Sequence, residues 1–75
     1  MALLDELAEQ LADDTLKAMK ELDDDRFFME VAAEIAASST TLEEAFLTSV
    51  RVRLAGIKAK KFIRGRVDGT ISKPG

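Results

Sequence analysis

Seventy-five residues without cysteine or histidine leave room for one small domain and exclude disulfides, thiolate or imidazole metal sites, and Cys or His nucleophile chemistry. Apolar residues make up 47% of the chain, but 11 of them are alanine and proline occurs once, a composition that favours an all-α fold. The net charge of −3 hides a division: residues 1–50 carry 13 Asp and Glu against Lys17, Lys20 and Arg26, whereas residues 51–75 carry 8 Lys and Arg against Asp68 alone.

Leu3, Leu4, Leu7 and Leu11 recur at three- and four-residue steps with Asp5, Glu6 and Glu9 between them, the pattern of an amphipathic helix whose early acids suit its N-terminal dipole. The stripe continues through Leu16, Met19 and Leu22. One helix is therefore expected over about 2–22, with Asp13 and Asp14 either kinking it or capping a second segment. Asp23, Asp24 and Asp25 then end it, and Asp24 or Asp25 can cap the next helix. They lack the alternating ligands, central glycine and distal Glu of a calcium loop.

Over about 26–37, Phe27, Phe28, Val31, Ala32, Ile35 and Ala36 form a wide apolar face, with Glu30 and Glu34 together on the other side. This is the most core-like segment of the sequence. Two adjacent phenylalanines diverge on a helix, so one reaches a second surface, and the pair reads as core rather than as a cofactor pocket.

Ser38–Ser39–Thr40–Thr41 reads as a turn followed by a cap, and Thr41 with Glu44 makes a capping box. Leu42, Phe46, Leu47, Val50, Leu54 and Ile57 keep helical spacing from there. Lys60, Lys61 and Arg64 load a last turn, and Gly65 can take the left-handed C-terminal position, so the third helix is expected over about 41–64. The stretch 50–54 also alternates apolar and basic residues as a half-buried strand would, but the longer window fits helix. Residues 66–72 carry a hairpin turn signal and are left open, with the end of the chain a loose tail. The expected architecture is an all-α bundle of about three helices, one domain over 1–65 and a tail over 66–75.

At 100° per residue the third helix has two apolar stripes. Phe46, Leu47, Val50, Leu54 and Ile57 share one arc; Val52, Ala55, Ala59, Phe62 and Ile63 share another. Basic ridges lie between them, Arg51 and Lys58 on one side and Arg53, Lys60 and Arg64 on the other. Two stripes imply burial on two sides, either between two neighbours in the fold or against another chain. The small size favours a homo-oligomer, most simply a dimer, with Val52, Ala55, Ala59, Phe62 and Ile63 at the interface. The charge division is satisfied either within the protein or by a polyanion drawn to the C-terminal segment.

The segment Val31–Ala32–Ala33–Glu34–Ile35–Ala36, followed by Ser38 to Thr41, Leu42 and Phe46, resembles the helix-turn-helix core of bacterial regulators of the arabinose-regulator and tetracycline-repressor types. The resemblance places small residues at Ala32 and Ala36, a hydroxyl cap on the second helix, and Leu42 and Phe46 between the helices. It implies a DNA groove facing Ser39, Thr40, Glu43 and Glu44. Carboxylates there oppose phosphate, so the nucleic-acid candidates move to Arg51, Arg53, Lys58, Lys60, Lys61, Arg64 and Arg66. Without Tyr or Trp to stack on bases, those side chains suit backbone contact better than base reading.

The sequence therefore points to a small non-catalytic interaction or regulatory protein that self-associates through its third helix and meets an acidic partner surface with those seven basic residues. The alternatives are a DNA- or RNA-binding protein using 51–66, and a peripheral membrane binder using the basic amphipathic stretch 57–66. No catalytic, cofactor or metal-ligating residue is expected. No positive charge precedes Lys17, and no apolar run approaches a signal segment or a membrane span. A cytoplasmic protein is the default.

Overall fold

In the computed structural model, which describes residues 2–69, the chain folds into three helices and no strand among those residues: α1 (Ala2–Leu22), α2 (Phe27–Ala36) and α3 (Thr40–Asp68). The helical spacing of 50–54 thus prevails over the strand-like alternation. Asp13 and Asp14 lie within an unbroken α1; a pair of poor helix formers costs little when the face beneath them is packed.

The end of α1 is closed by two backbone bonds, Asp23 N–H to the Lys20 carbonyl at 3.3 Å and Asp24 N–H to the Met19 carbonyl at 3.0 Å. Asp23 takes the left-handed conformation at φ 53°, where glycine is usual and a short polar side chain is tolerated. Neither Asp24 nor Asp25 caps α2. Asp24 Oδ1 instead accepts from the Arg26 N–H at 2.9 Å, so the acid organises the turn while Arg26 occupies the cap position without a side-chain bond.

The α2–α3 turn also differs from expectation. Ser38 and Ser39 N–H both donate to the Ile35 carbonyl, at 2.9 and 2.8 Å, which holds Ser39 extended at the cap of α3. Its hydroxyl accepts from Leu42 N–H at 3.0 Å. Ser39 rather than Thr41 is therefore the cap, because the bonds to Ile35 fix where the new helix begins. At the far end, α3 runs through Gly65 to Asp68, and Gly69 takes the left-handed position at φ 78°, donating to the Gly65 carbonyl. The expected stop at Gly65 is thus passed, and the helix ends four residues later at Gly69. Residues 66–68 are thus helical and not a hairpin arm; the remainder of the hairpin signal, 70–72, lies outside the described residues, as does the end of the expected tail.

The core is small. Phe46 and Val50 are fully buried beside Ala12 and Ala32, with Leu11, Phe28, Val31, Ile35, Leu47 and Leu54 packed around them. The centre belongs to α3, where large residues face both neighbours, while α2 contributes one buried alanine and the half-buried Phe28, Val31 and Ile35. On α1 the deepest line is Ala8, Ala12 and Thr15. These small side chains let α3 approach closely, and the leucines straddle the contact, which leaves Leu3, Leu7 and Leu22 exposed. Of the two adjacent phenylalanines, Phe28 joins the core cluster.

α1 and α3 run in the same sense. Asp5, Ala8 and Glu9 border a groove with Ala45, Thr48, Ser49 and Val52, and the end of α1 borders another with Leu54, Ile57 and Lys61. Twenty-nine residues make α3 about 43 Å long at 1.5 Å per residue, nearly the whole 47 Å length of the molecule. The radius of gyration, 15.2 Å, exceeds the roughly 11 Å of a compact 75-residue domain. The excess follows from α3, whose last turns run past the α1 groove.

Candidate functional site

The two stripes of α3 meet different fates. On the first, Phe46 and Val50 are sealed, Leu47 and Leu54 are packed, and Ile57 is half covered at the end of α1. Beyond Ile57 the same side of the helix carries Lys61, Arg64 and Asp68, and the bundle contact ends. The second stripe, Val52, Ala55, Ala59, Phe62 and Ile63, is exposed along its length. Val52 is 65% exposed, Phe62 50%, Ile63 61%, and Val67, which extends the stripe by a turn, 80%. The helix thus exchanges its apolar face about midway: residues 42–57 face the bundle and residues 52–67 face outward. The outward side also carries Thr41, Glu44 and Thr48 toward the N-terminus and Arg66 toward the C-terminus. Each is exposed.

The expected basic set divides as well. Arg53 Nε donates to Asp13 Oδ1 at 2.7 Å, and its Nη1 donates to the Ser49 hydroxyl and, at 3.5 Å, to the Ser49 carbonyl. The hydrogen bond from Arg53 lowers the Asp13 carboxyl below its ordinary value; partial burial opposes this, and the charges of Arg53 and Lys17 reinforce it. Arg53 is therefore a tie between α1 and α3, and one part of the charge division is satisfied within the fold. Arg51, Lys58, Lys60, Lys61, Arg64 and Arg66 are exposed and make no ion pair or hydrogen bond among the described residues. They are spread around the helix rather than gathered into one patch: Arg51, Lys58 and Lys60 flank the outward stripe, Arg66 lies on it, and Lys61 and Arg64 lie on the opposite side. Sequence reasoning missed the role of Asp13, because its partner lies 40 positions away and nothing local marks it.

Where the helix-turn-helix resemblance falls, Ala32 and Phe46 are buried, and Ala36 and Leu42 are partly buried. Among the described residues no group of three or more carboxylate, Cys or His side chains is placed to hold a metal ion, and no helix is long and apolar enough to cross a membrane. The grooves between α1 and α3 are bordered by a mixture of acidic, basic, hydroxyl and apolar side chains. The outward side of α3 presents exposed apolar side chains over about 22 Å from Val52 to Val67. No protein-family model, curated protein or solved structure matches this chain.

Proposed function

We propose that this chain is a small non-catalytic helical interaction protein that self-associates, most simply as a homodimer, through the outward face of α3. The basic ridges beside that face suit an acidic surface of the twin or of another protein. The observation that carries this reading is the exposed alignment of Val52, Ala55, Ala59, Phe62, Ile63 and Val67 on a chain whose largest fully buried side chains, among the described residues, are Phe46 and Val50. Contiguous apolar surface of this kind on a small protein marks a contact more often than chance exposure does.

Energetics support a weak association. Fully burying a Val, Ile or Phe side chain is worth roughly 1.5–3 kcal/mol, and these four are half or more exposed. Two copies together recover on the order of 10 kcal/mol, comparable with the roughly 4–15 kcal/mol cost of association. At its favourable end this balance is about −6 kcal/mol, a dissociation constant of tens of micromolar, so dimerisation should depend on concentration from about that range upward. Sedimentation of the intact chain over that range tests it: a fitted mass rising toward two chains supports the reading, and a constant single-chain mass removes it.

A second reading rests on the six free cations. A nucleic-acid backbone could meet Arg51, Lys58, Lys60, Lys61, Arg64 and Arg66, although Glu43, Glu44 and the acidic α1 weaken the field. Gel-shift titration with duplex DNA, single-stranded DNA and RNA discriminates. No shift at about 50 mM salt, where phosphate binding is strongest, eliminates it.

A further inference from the structure

Resting on the proposed self-association, we infer that the partner of the outward face of α3 is the same face of a second copy laid antiparallel, with the twofold axis close to Gly56 and Ile57. From N- to C-terminus that face reads Thr41, Glu44, Thr48, Val52, Ala55, Ala59, Phe62, Ile63, Arg66. It has an acid at one end, a base at the other, and apolar residues between. Such an order is self-complementary only when the second copy is reversed.

With the axis at that point, residue 62 of one copy lies opposite residue 52 of the other, 59 opposite 55, and 66 opposite 48. Phe62 then covers the partner's Val52, a large side chain over a smaller one, and Ala55 and Ala59 meet where the helices cross. Small residues at a crossing allow close packing of helix backbones. Gly56 fits the same place: a Cβ built there meets nothing within 4 Å in the single chain, so nothing in the monomer requires a glycine inside the helix.

Charge settles the direction. Arg66 comes to rest beside the partner's Thr48, one turn from its Glu44 and next to Glu9, which borders the same groove as Thr48 and Val52. In a parallel pair Arg66 would face Arg66 and Glu44 would face Glu44, placing like charges at both ends of the contact. Lys58 lies near the axis in the reversed pair and beside its twin in the parallel one, so it does not discriminate between them. The reversed pair also lays the projecting end of each α3 along the bundle of the other copy, whereas the parallel pair brings both projecting ends together.

The absence of cysteine makes the test direct. Val52→Cys and Phe62→Cys fall on exposed sites. Positions 52 and 62 of one helix are about 15 Å apart, so a disulfide between them, which needs Cα atoms within about 7 Å, can form only between copies. Oxidising a mixture of the two variants should give mainly the mixed 52–62 dimer, and Phe62→Cys alone should bridge poorly because its twins are about 15 Å apart. In parallel, Glu44→Arg and Arg66→Glu should each weaken the dimer severalfold, and the combined variant should recover most of the loss, an outcome parallel pairing does not give. A dimer that yields no 52–62 bridge, with or without a 62–62 bridge, overturns the antiparallel arrangement and leaves self-association standing. A chain that sediments as a monomer at all micromolar concentrations overturns both.

Discussion

Gly56→Ala separates the folded chain from its assembly in one substitution. Gly56 lies in the interior of α3, where glycine is about 0.8–1.0 kcal/mol less favourable than alanine. The added methyl meets no atom within 4 Å, so no steric cost offsets that gain in the single chain. For a domain of this size about 1 kcal/mol raises Tm by roughly 4–8 °C. Thermal melts followed by circular dichroism at sub-micromolar concentration should show that rise. At higher concentration the advantage should shrink, because the same methyl separates two helices that cross near residue 56. An unchanged or lower Tm in dilute solution would refute the physical basis of the expectation: either the chain packs against Gly56 or α3 is not continuous there. A gain that persists undiminished at high concentration would leave the monomer intact and contradict a close crossing at this residue.

Phe46→Ala removes the largest fully buried side chain and should cost about 3–5 kcal/mol, most of what a 75-residue domain holds. Its far-UV dichroism should show a partly unfolded population at room temperature, while Phe62→Ala should keep the monomer's stability within about 0.5 kcal/mol. Ser39→Ala should lose about 1 kcal/mol of stability in urea melts through the missing cap, whereas Thr41→Ala should be close to neutral. Asp13 titrates below its ordinary value of 3.8 because Arg53 donates to it. Its folded value lies under its unfolded one, so its contribution is whole above the ordinary range and fades as pH falls through the lowered value. Asp13→Asn should abolish that component, giving a shallower loss of stability in urea melts taken from neutral pH down to about pH 2.

Helix α1 was legible because Leu3, Leu7, Leu11 and Leu22 mark one stripe over its full length, although the deepest contact is made by smaller residues beside it. Alanine and threonine carry no hydrophobic signal comparable to leucine, so the close approach at Ala8, Ala12 and Thr15 could be seen only with α3 in place. The α2–α3 turn offered four hydroxyl residues in succession, each a competent cap; the choice of Ser39 came from backbone bonds to Ile35 that local patterning does not encode. At the end of α3 the expected stop was Gly65, and the helix passes it to end at Gly69. The two-stripe character of α3 was readable from angular spacing alone, but whether a neighbour in the fold covered the second stripe depended on where α1 and α2 lie. Arg51 and Arg53 look alike in sequence, and only the position of Asp13 makes the second a structural tie while the first stays free.

Sedimentation equilibrium of the unsubstituted chain beside a Phe62→Asp, Ile63→Asp variant is the most direct trial of α3 as a self-association surface. The unsubstituted chain should move from the mass of one chain toward two across the micromolar range, and the variant should stay at one with its helical dichroism unchanged. A constant single-chain mass for the unsubstituted protein, or a dimer that the two aspartates leave intact, would contradict it.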